Sequence, residues 1–317
     1  MYSLHFYGEM IADAARIEPY VEALRRAVTP DSVVMDLGCG PGLFALLACK
    51  FGARRVYALE PDNVINIARE AAVANGFADR IHFFQNLSTE ITVAERATVI
   101  ISDLRGVLPW FQKHIPSIID ARQRLLAPGG VLIPRRDALW AALVETPEEY
   151  EKVVGPWRNR LVDVDLSAGF SKITNSWRKT RIKLGELLTE PLCWTTLDYS
   201  TVDSADVHAK ISWRTTRAGV GHGVVVWFDT ELEDGIGFSN RPGAPELVYG
   251  NAFFPFPRPV KVKKGERVAV KLRADLVQDD YVWSWTTDFT DQGIGFEQST
   301  FFSVPLSVEH LRKSNAQ

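Results

Sequence analysis

The chain is poor in several features that would assign a protein at a glance. Its 317 residues hold three cysteines, Cys39, Cys49 and Cys193, too few for a disulfide framework. Neither these nor the histidines follow a metal-ligand spacing, so no metal is expected. A net charge of −3 gives no bulk electrostatic reason to bind nucleic acid or a membrane surface. No apolar stretch reaches the length of a bilayer span. The first residues, MYSLHFYGEMIADAARI, lack the basic region and apolar run of a secretory signal. Repeats and low-complexity tracts are missing too. What remains is the expectation of a soluble cytoplasmic protein, long enough for two domains that each bury a core.

What the sequence does carry is concentrated in residues 33–43, VVMDLGCGPGL, and in Glu60. Apolar residues lead into Asp36, and Gly38, Gly40 and Gly42 follow. This reads as a buried strand entering a glycine-rich turn, with residues 43–51 as the helix the turn opens. Glycine belongs where the backbone takes positive φ or approaches a ligand closely. A second strand, 55–59, ends on Glu60, an acid placed to accept hydrogen bonds from a ribose diol. Such a unit suits an adenosine cofactor. A dinucleotide site wants G-x-G-x-x-G, with the pyrophosphate at a helix N-terminus. Here the glycines run G-x-G-x-G behind an acid, an order that resembles the first motif of class I methyltransferases, which bind the phosphate-free S-adenosylmethionine. The competing reading is a nucleotide-free α/β domain with a structural glycine turn. Asp36, Glu60 and the downstream order favour the cofactor.

Residues 9–28 read as one helix, with Met10, Ile11, Ala14, Ile17, Val21, Leu24 and Ala27 at helical spacing. Asp62 is placed to cap a helix running to Asn75 and ended by Gly76. Strands over 80–85 and 97–104 follow, then a helix over 116–126, closed by Pro128-Gly129-Gly130, and a strand over 131–134. This βαβα succession predicts an α/β Rossmann-like domain, with a mostly parallel sheet and helices on both faces. From about residue 135 alternating strands dominate, over 138–145, 207–214, 223–232, 260–272 and 281–289, with turn signals at Glu233-Asp234-Gly235 and Lys264-Gly265. The expected organisation is an N-terminal helical segment (1–30), the Rossmann-like domain (31–134) and a β-rich, barrel-like domain (135–317). A mixed basic stretch at 167–192 reads as an insertion.

A helix, a Rossmann-like domain and a β-barrel in that order resemble the protein arginine methyltransferases, and the likeness covers nearly the whole chain. YGEMIADAAR (7–16) is similar to the family's pre-domain helix, which implies that Met10 lies against the cofactor and Arg16 pairs with its carboxylate. A thioether packs well beside a sulfonium and a purine, and arginine is a bidentate carboxylate clamp. The plainer reading is an amphipathic helix, with Met10 in the core and Arg16 on the surface. DLGCGPG and VYALEPD (56–62) are similar to the cofactor motifs. Through them the resemblance assigns Asp36, Gly38, Cys39, Gly40, Gly42, Leu43, Glu60 and Pro61 to S-adenosylmethionine and its product S-adenosylhomocysteine. Small buried packing is the alternative for Cys39, as for Cys49. NGFADRIHFFQNLSTEI puts Ser88 and Thr89 beside the adenine, and Ser102 completes the set. LLAPGGVLIP (125–134), GFSNRPGAP (237–245), NAFFPF and VKVKKGERV are similar to later family segments. SAGFSKITNSWRKTRIKLGELL stands where the family has its dimerisation arm, which implies a head-to-tail homodimer.

The substrate loop departs from the family pattern. Where two glutamates grip a guanidinium, this loop reads SDLRGVLPWFQ (102–112), with Asp103 at the first position and Gln112 at the second. The T-H-W signature is replaced by LVY (247–249). Methyl transfer is an in-line displacement that mainly requires an oriented acceptor lone pair. A guanidinium needs carboxylates to fix it and balance its charge. Losing one partner of a buried pair costs about 3–5 kcal/mol. Arg105 adds a cation to the loop, to hold an acceptor carboxylate or simply to pair with Asp103 or face water. Trp110 and Phe111 either wall the acceptor or belong to the core. His114 is either a general base or a structural histidine, while His222 and His310 show no partner in sequence. The expected function is therefore methyl transfer to a nitrogen or oxygen of a small metabolite or peptide, oriented by Asp103 and Gln112. Two alternatives stand beside it: protein arginine N-methylation with a weakened acidic clamp, and a non-catalytic cofactor-binding scaffold.

Overall fold

A computed structural model describes residues 3–158 and 163–303; His310 lies outside them. The periodic stretch expected as one helix is two, α1 (Leu4–Ala12) and α2 (Ala14–Ala27). Asp13 divides them because its carboxylate turns to cap α2, accepting from the Arg16 N–H. Next come β1 (Val33–Leu37), α3 (Leu43–Lys50), β2 (Arg55–Leu59), α4 (Ile65–Ala74), β3 (Ile81–Phe84), β4 (Ala97–Ser102), α5 (His114–Asp120) and β5 (Leu126–Ile133). The five strands pair in parallel in the order β3-β2-β1-β4-β5. β1, buried at every position, is central, so the glycine turn after it opens at the carboxyl edge of the sheet, where α/β folds bind ligands.

Two local expectations change. Asp62 does not cap α4 with its side chain; it offers only its carbonyl to the Ile65 N–H, and its own N–H donates to Glu60. The helix after the substrate loop begins at His114 and widens into a π turn at Ala121–Leu125. β5 then starts at Leu126, and Pro128-Gly129-Gly130 lies where its pairing with β4 shifts register, with Gly129 at φ 73°.

The β-rich part contributes β6 (Arg136–Val144), α6 (Pro147–Arg158), α7 (Phe170–Ile173), β7 (Arg178–Thr180), β8 (Leu192–Asp198), β9 (Val207–Arg214), β10 (Gly219–Glu233), β11 (Ile236–Ser239), β12 (Asn251–Val262), β13 (Arg267–Val277), β14 (Asp280–Phe289) and β15 (Ile294–Ser299). The stretch expected as one strand over 260–272 is broken by a turn in which Gly265 takes φ 83°. The chain divides into two compact units, one of Met1–Leu139, Thr195–Ala205 and Trp227–Gly250, the other of Trp140–Trp194, Asp206–Val226 and Asn251–Gln317. In the first, Tyr20, Leu24, Phe44, Val56, Ile101 and Ile133 build the core around the parallel sheet, and the end of β10 pairs with β11. In the second, β9, β13, β14 and β15 form an antiparallel sheet, whose Trp283, Trp285 and Phe289 are buried with Phe253, Phe254 and Phe256 of β12. His222 is buried in that unit against Tyr150.

Candidate functional site

The glycine turn folds tightly because Asp36 and Glu60 collect its backbone donors. Asp36 accepts from the Ala45 N–H at 2.8 Å and so pins the first turn of α3. Glu60 accepts from Gly40 N–H at 3.1 Å and Asp62 N–H at 2.9 Å. Gly38 and Gly40 take φ 75° and 51°. A Cβ on Gly38 would stand 2.1 Å from Leu104 Cδ2, and one on Gly40 2.8 Å from Tyr7 Cε1. Only glycine lets the substrate loop and α1 approach this closely. Burial pushes the Asp36 carboxyl up to about 7, against the Ala45 N–H and helped by Glu60. Glu60 is raised as well, mainly by burial, with the Asp62 and Gly40 amides opposing.

Beside this turn lies a cavity of about 450 Å³. Tyr7, Met10, Gly38, Glu60, Pro61 and Ser88 line one part of it; Asp103, Leu104, Phe111, Gln112 and His114 line the other. That volume suits an adenosine-sized ligand. The carboxylate oxygens of Glu60 each keep acceptor capacity beyond the single backbone N–H they hold, so the acid fits a ribose diol. Asp36, Cys39, Gly40, Gly42, Leu43, Thr89 and Ser102 do not line the cavity. Asp36 and the glycines shape the turn, Cys39 and Cys49 are buried, and Thr89 is exposed.

Arg16 also lies off the cavity, behind Asp103, with 4% of its side chain exposed. Its Nε donates to Asp103 Oδ2 at 2.7 Å, its Nη2 to the same oxygen, and its Nη1 to the Met10 carbonyl at 2.8 Å. N–H groups on both terminal nitrogens stay unassigned. The Tyr249 hydroxyl, which accepts from Arg16 Nε at 3.0 Å, donates to the Asp103 carboxylate. Burial disfavours both charges of the Arg16–Asp103 pair, yet their mutual attraction prevails. Asp103 stays below the usual carboxylate range and Arg16 above its ordinary value.

Arg105 neither faces water nor is free to hold an acceptor carboxylate: its side chain is 0% exposed. Nη1 donates to Asp137 Oδ1 at 2.7 Å and to Thr230, and Nη2 to the Tyr20 hydroxyl at 3.2 Å. Nε stands 3.4 Å from Asp103 Oδ1 without a hydrogen bond. Phe228 and Phe238 cover the guanidinium at 5.3 and 5.8 Å from their ring centres. Tyr199 completes the group, donating to Asp137 Oδ2 at 2.5 Å. Trp110 is buried in the core, whereas Phe111 reaches the cavity. His114 donates through Nδ1 to the Pro109 carbonyl at 2.8 Å, since that oxygen can only accept. Burial, with Arg105 adding to it, lowers its pKa to about 4, so it is neutral and a weak base near neutrality. Gln112 is exposed and holds φ 45°, a left-handed backbone that costs a non-glycine residue about 1–2 kcal/mol. Such strain concentrates at functional sites.

Sequence reasoning missed Tyr20, Asp137, Tyr199 and Thr230, and saw Tyr249 only as part of a lost signature. One signal was available for Asp137 and Thr230: each alternates with apolar residues (Leu139 and Ala141; Phe228 and Leu232) on the inward face of its strand, where a polar side chain needs a buried partner.

Comparisons with known proteins bear on the family and the fold. The profile of the arginine methyltransferase oligomerization subdomain matches residues 135–290, and that of ribosomal protein L11 methyltransferase (PrmA) matches 19–146. A probable protein arginine N-methyltransferase 6 of Arabidopsis thaliana is 30% identical over 235 residues, covering 71% of this chain and 54% of that protein. Protein arginine N-methyltransferase 1 of Dictyostelium discoideum is 25% identical over 272 residues, covering 83% and 80%. Among solved structures, the Trypanosoma brucei PRMT1 enzyme-prozyme heterotetrameric complex with AdoHcy superposes with a TM-score of 0.84 at 23% identity, over 94% of this chain and 98% of that one. The chain spans about half the length of the first curated relatives it matches. It belongs to the protein arginine methyltransferase family, a class I family of S-adenosylmethionine-dependent methyltransferases. Among the described residues no helix is long and apolar enough to cross a membrane.

Proposed function

We propose that this chain binds S-adenosylmethionine in the 450 Å³ cavity and transfers its methyl group to an arginine side chain of a protein or peptide, through an acceptor clamp weakened by one carboxylate. The observation that carries this reading is that cofactor-type residues (Met10, Gly38, Glu60, Ser88) and the loop residues Asp103 and Gln112 line a single space. The cofactor would supply an activated methyl on a sulfonium, which passes to the acceptor nitrogen and leaves S-adenosylhomocysteine. Glu60 would take the ribose hydroxyls and Met10 would pack on the apolar faces, while Arg16, off the cavity, stays paired with Asp103. Gln112, and Asp103 to the extent that Arg16 and Tyr249 leave its carboxylate free, orient the acceptor nitrogen from the other end. The names of the relatives support arginine over the small metabolite expected from the loop alone. A homodimer through residues 167–192 belongs to the same proposal. The oligomerization-subdomain match and the heterotetramer named for the trypanosome protein support it.

Calorimetric titration with S-adenosylmethionine and S-adenosylhomocysteine, with Glu60→Ala as control, tests the first half. Labelled methyl transfer to an arginine peptide by the wild type and by Gln112→Glu tests the second, and the variant is expected to turn over faster. A second reading is favoured by one observation, the compensation of Asp103 from within by Arg16, Arg105 and Tyr249. In that reading the chain is a cofactor-binding partner subunit. Cofactor binding with no transfer by either protein would select it.

A further inference from the structure

Asp103 carries an occupant of its own. The Tyr249 hydroxyl sits 2.7 Å from Oδ1 and 2.6 Å from Oδ2, astride the carboxylate. That is the approach by which a guanidinium would present paired N–H groups to the same two oxygens. Arg16 holds Oδ2 as well and shares its Nε–H with the Tyr249 hydroxyl at 3.0 Å, and Arg105 Nε faces Oδ1 at 3.4 Å without bonding it. The phenol has little freedom to leave. Its ring stacks on Phe238 at 6.0 Å with 4° between planes, meets Phe228 edge-on at 5.3 Å, and is 5% exposed.

We propose that Tyr249 is a specificity-determining residue of the acceptor end: its hydroxyl caps Asp103 and withholds that carboxylate from a guanidinium. The proposal rests on reading the cavity as a joint cofactor and acceptor site. It explains why an acid that lines the cavity has only 5% of its side chain exposed there. The cap is uncharged, so it leaves the charge balance of the pair with Arg16 unaltered. It removes hydrogen-bonding capacity alone, which discriminates against acceptors that need the carboxylate and spares those that do not.

Tyr249→Phe deletes the cap and keeps the ring between Phe228 and Phe238. The test uses the full chain loaded with S-adenosylhomocysteine and titrated with a short peptide containing one arginine. The same peptide with citrulline, a neutral isostere, serves as control. The variant should bind the arginine peptide about tenfold more tightly, the order of one charge-assisted hydrogen bond gained. Citrulline-peptide and S-adenosylhomocysteine affinities should stay within about twofold, below the cost of one net hydrogen bond. Equal or weaker arginine binding would overturn the proposal. So would loss of S-adenosylhomocysteine binding, which would make Tyr249 a support of the cofactor end. Should Tyr249→Phe unfold, the wild type still decides: with the cap in place it should bind the arginine peptide no more than about twofold more tightly than the citrulline peptide, and a larger preference for arginine would overturn the proposal. Absence of methyl transfer by both proteins would refute the proposed activity, while the difference in peptide affinity still decides on the cap.

Discussion

Replacing Arg105 by methionine should be among the most damaging single changes in the first unit. Its guanidinium is wholly buried and lies 2.7 Å from Asp137, which is also 0% exposed. At an effective dielectric of ~20 that contact alone is worth about 6 kcal/mol, much of it offset by the desolvation of both ions. Arg105→Met leaves Asp137 charged and buried with only the Tyr199 and Thr230 hydroxyls as donors. Breaking a buried pair from one side costs about 3–5 kcal/mol. The double variant Arg105→Met/Asp137→Asn removes both charges and keeps those hydroxyls a carbonyl acceptor. It should recover at least about 2 kcal/mol of the loss, because the uncompensated ion is gone. Urea unfolding followed by tyrosine and tryptophan fluorescence at pH 7.5 measures both. A single-variant cost below about 1 kcal/mol, or a double variant no more stable than the single, would refute the assignment of Arg105 to a buried ion pair.

Two further outcomes follow from the cofactor turn. Glu60→Gln keeps one oxygen for a backbone amide but loses the charge that strengthens its bonds to a diol. S-adenosylhomocysteine affinity should fall about 10–100-fold by calorimetry, and an unchanged affinity would remove Glu60 from the site. Asp36 titrates at about 7 in the folded chain against an ordinary 3.8. The folded state therefore binds its proton more tightly than the unfolded state, and the stability it contributes is full below about pH 4 and lost as pH rises through about 7. Asp36→Asn abolishes that loss. The variant should gain on the wild type by about 4 kcal/mol between pH 4 and pH 8, and a gap that does not change with pH would contradict the burial argument.

The glycine turn and the strands around it were legible in the sequence because their parts are local. Asp36, Gly38, Gly40 and Glu60 lie within one strand-turn-helix-strand unit, and period, glycine placement and the terminal acid each mark it. Helix ends were less legible where side chains decide them. Asp13 breaks a continuous apolar period by capping, and Val64 precedes α4 with no side-chain cap at all. The acceptor end was hardest. The partners of Asp103 stand 87 and 146 positions away in sequence, and those of Arg105 include residues 32 and 125 away. No periodicity links such positions. The loop pattern showed which carboxylate was absent; only the fold shows how the remaining one is occupied.

Charge balance then singles out Gln112. Arg16, Asp103, Arg105 and Asp137 form a row of two cations and two carboxylates, so the row offers no surplus negative charge to an incoming guanidinium. Removing the Tyr249 cap restores hydrogen-bonding capacity to Asp103 and leaves that sum unaltered. A carboxylate at position 112 would change the sum. The position is suited to do so: it lines the cavity, stays exposed, and is held at a strained φ of 45°, a backbone state kept only where the surroundings over-determine it. An exposed carboxylate there pays little desolvation, unlike a second acid placed in the buried row. Capacity and charge are thus separate deficits, one set at Tyr249 and the other at Gln112. Full arginine transfer needs both repaired, and the double variant Tyr249→Phe/Gln112→Glu should exceed either single change.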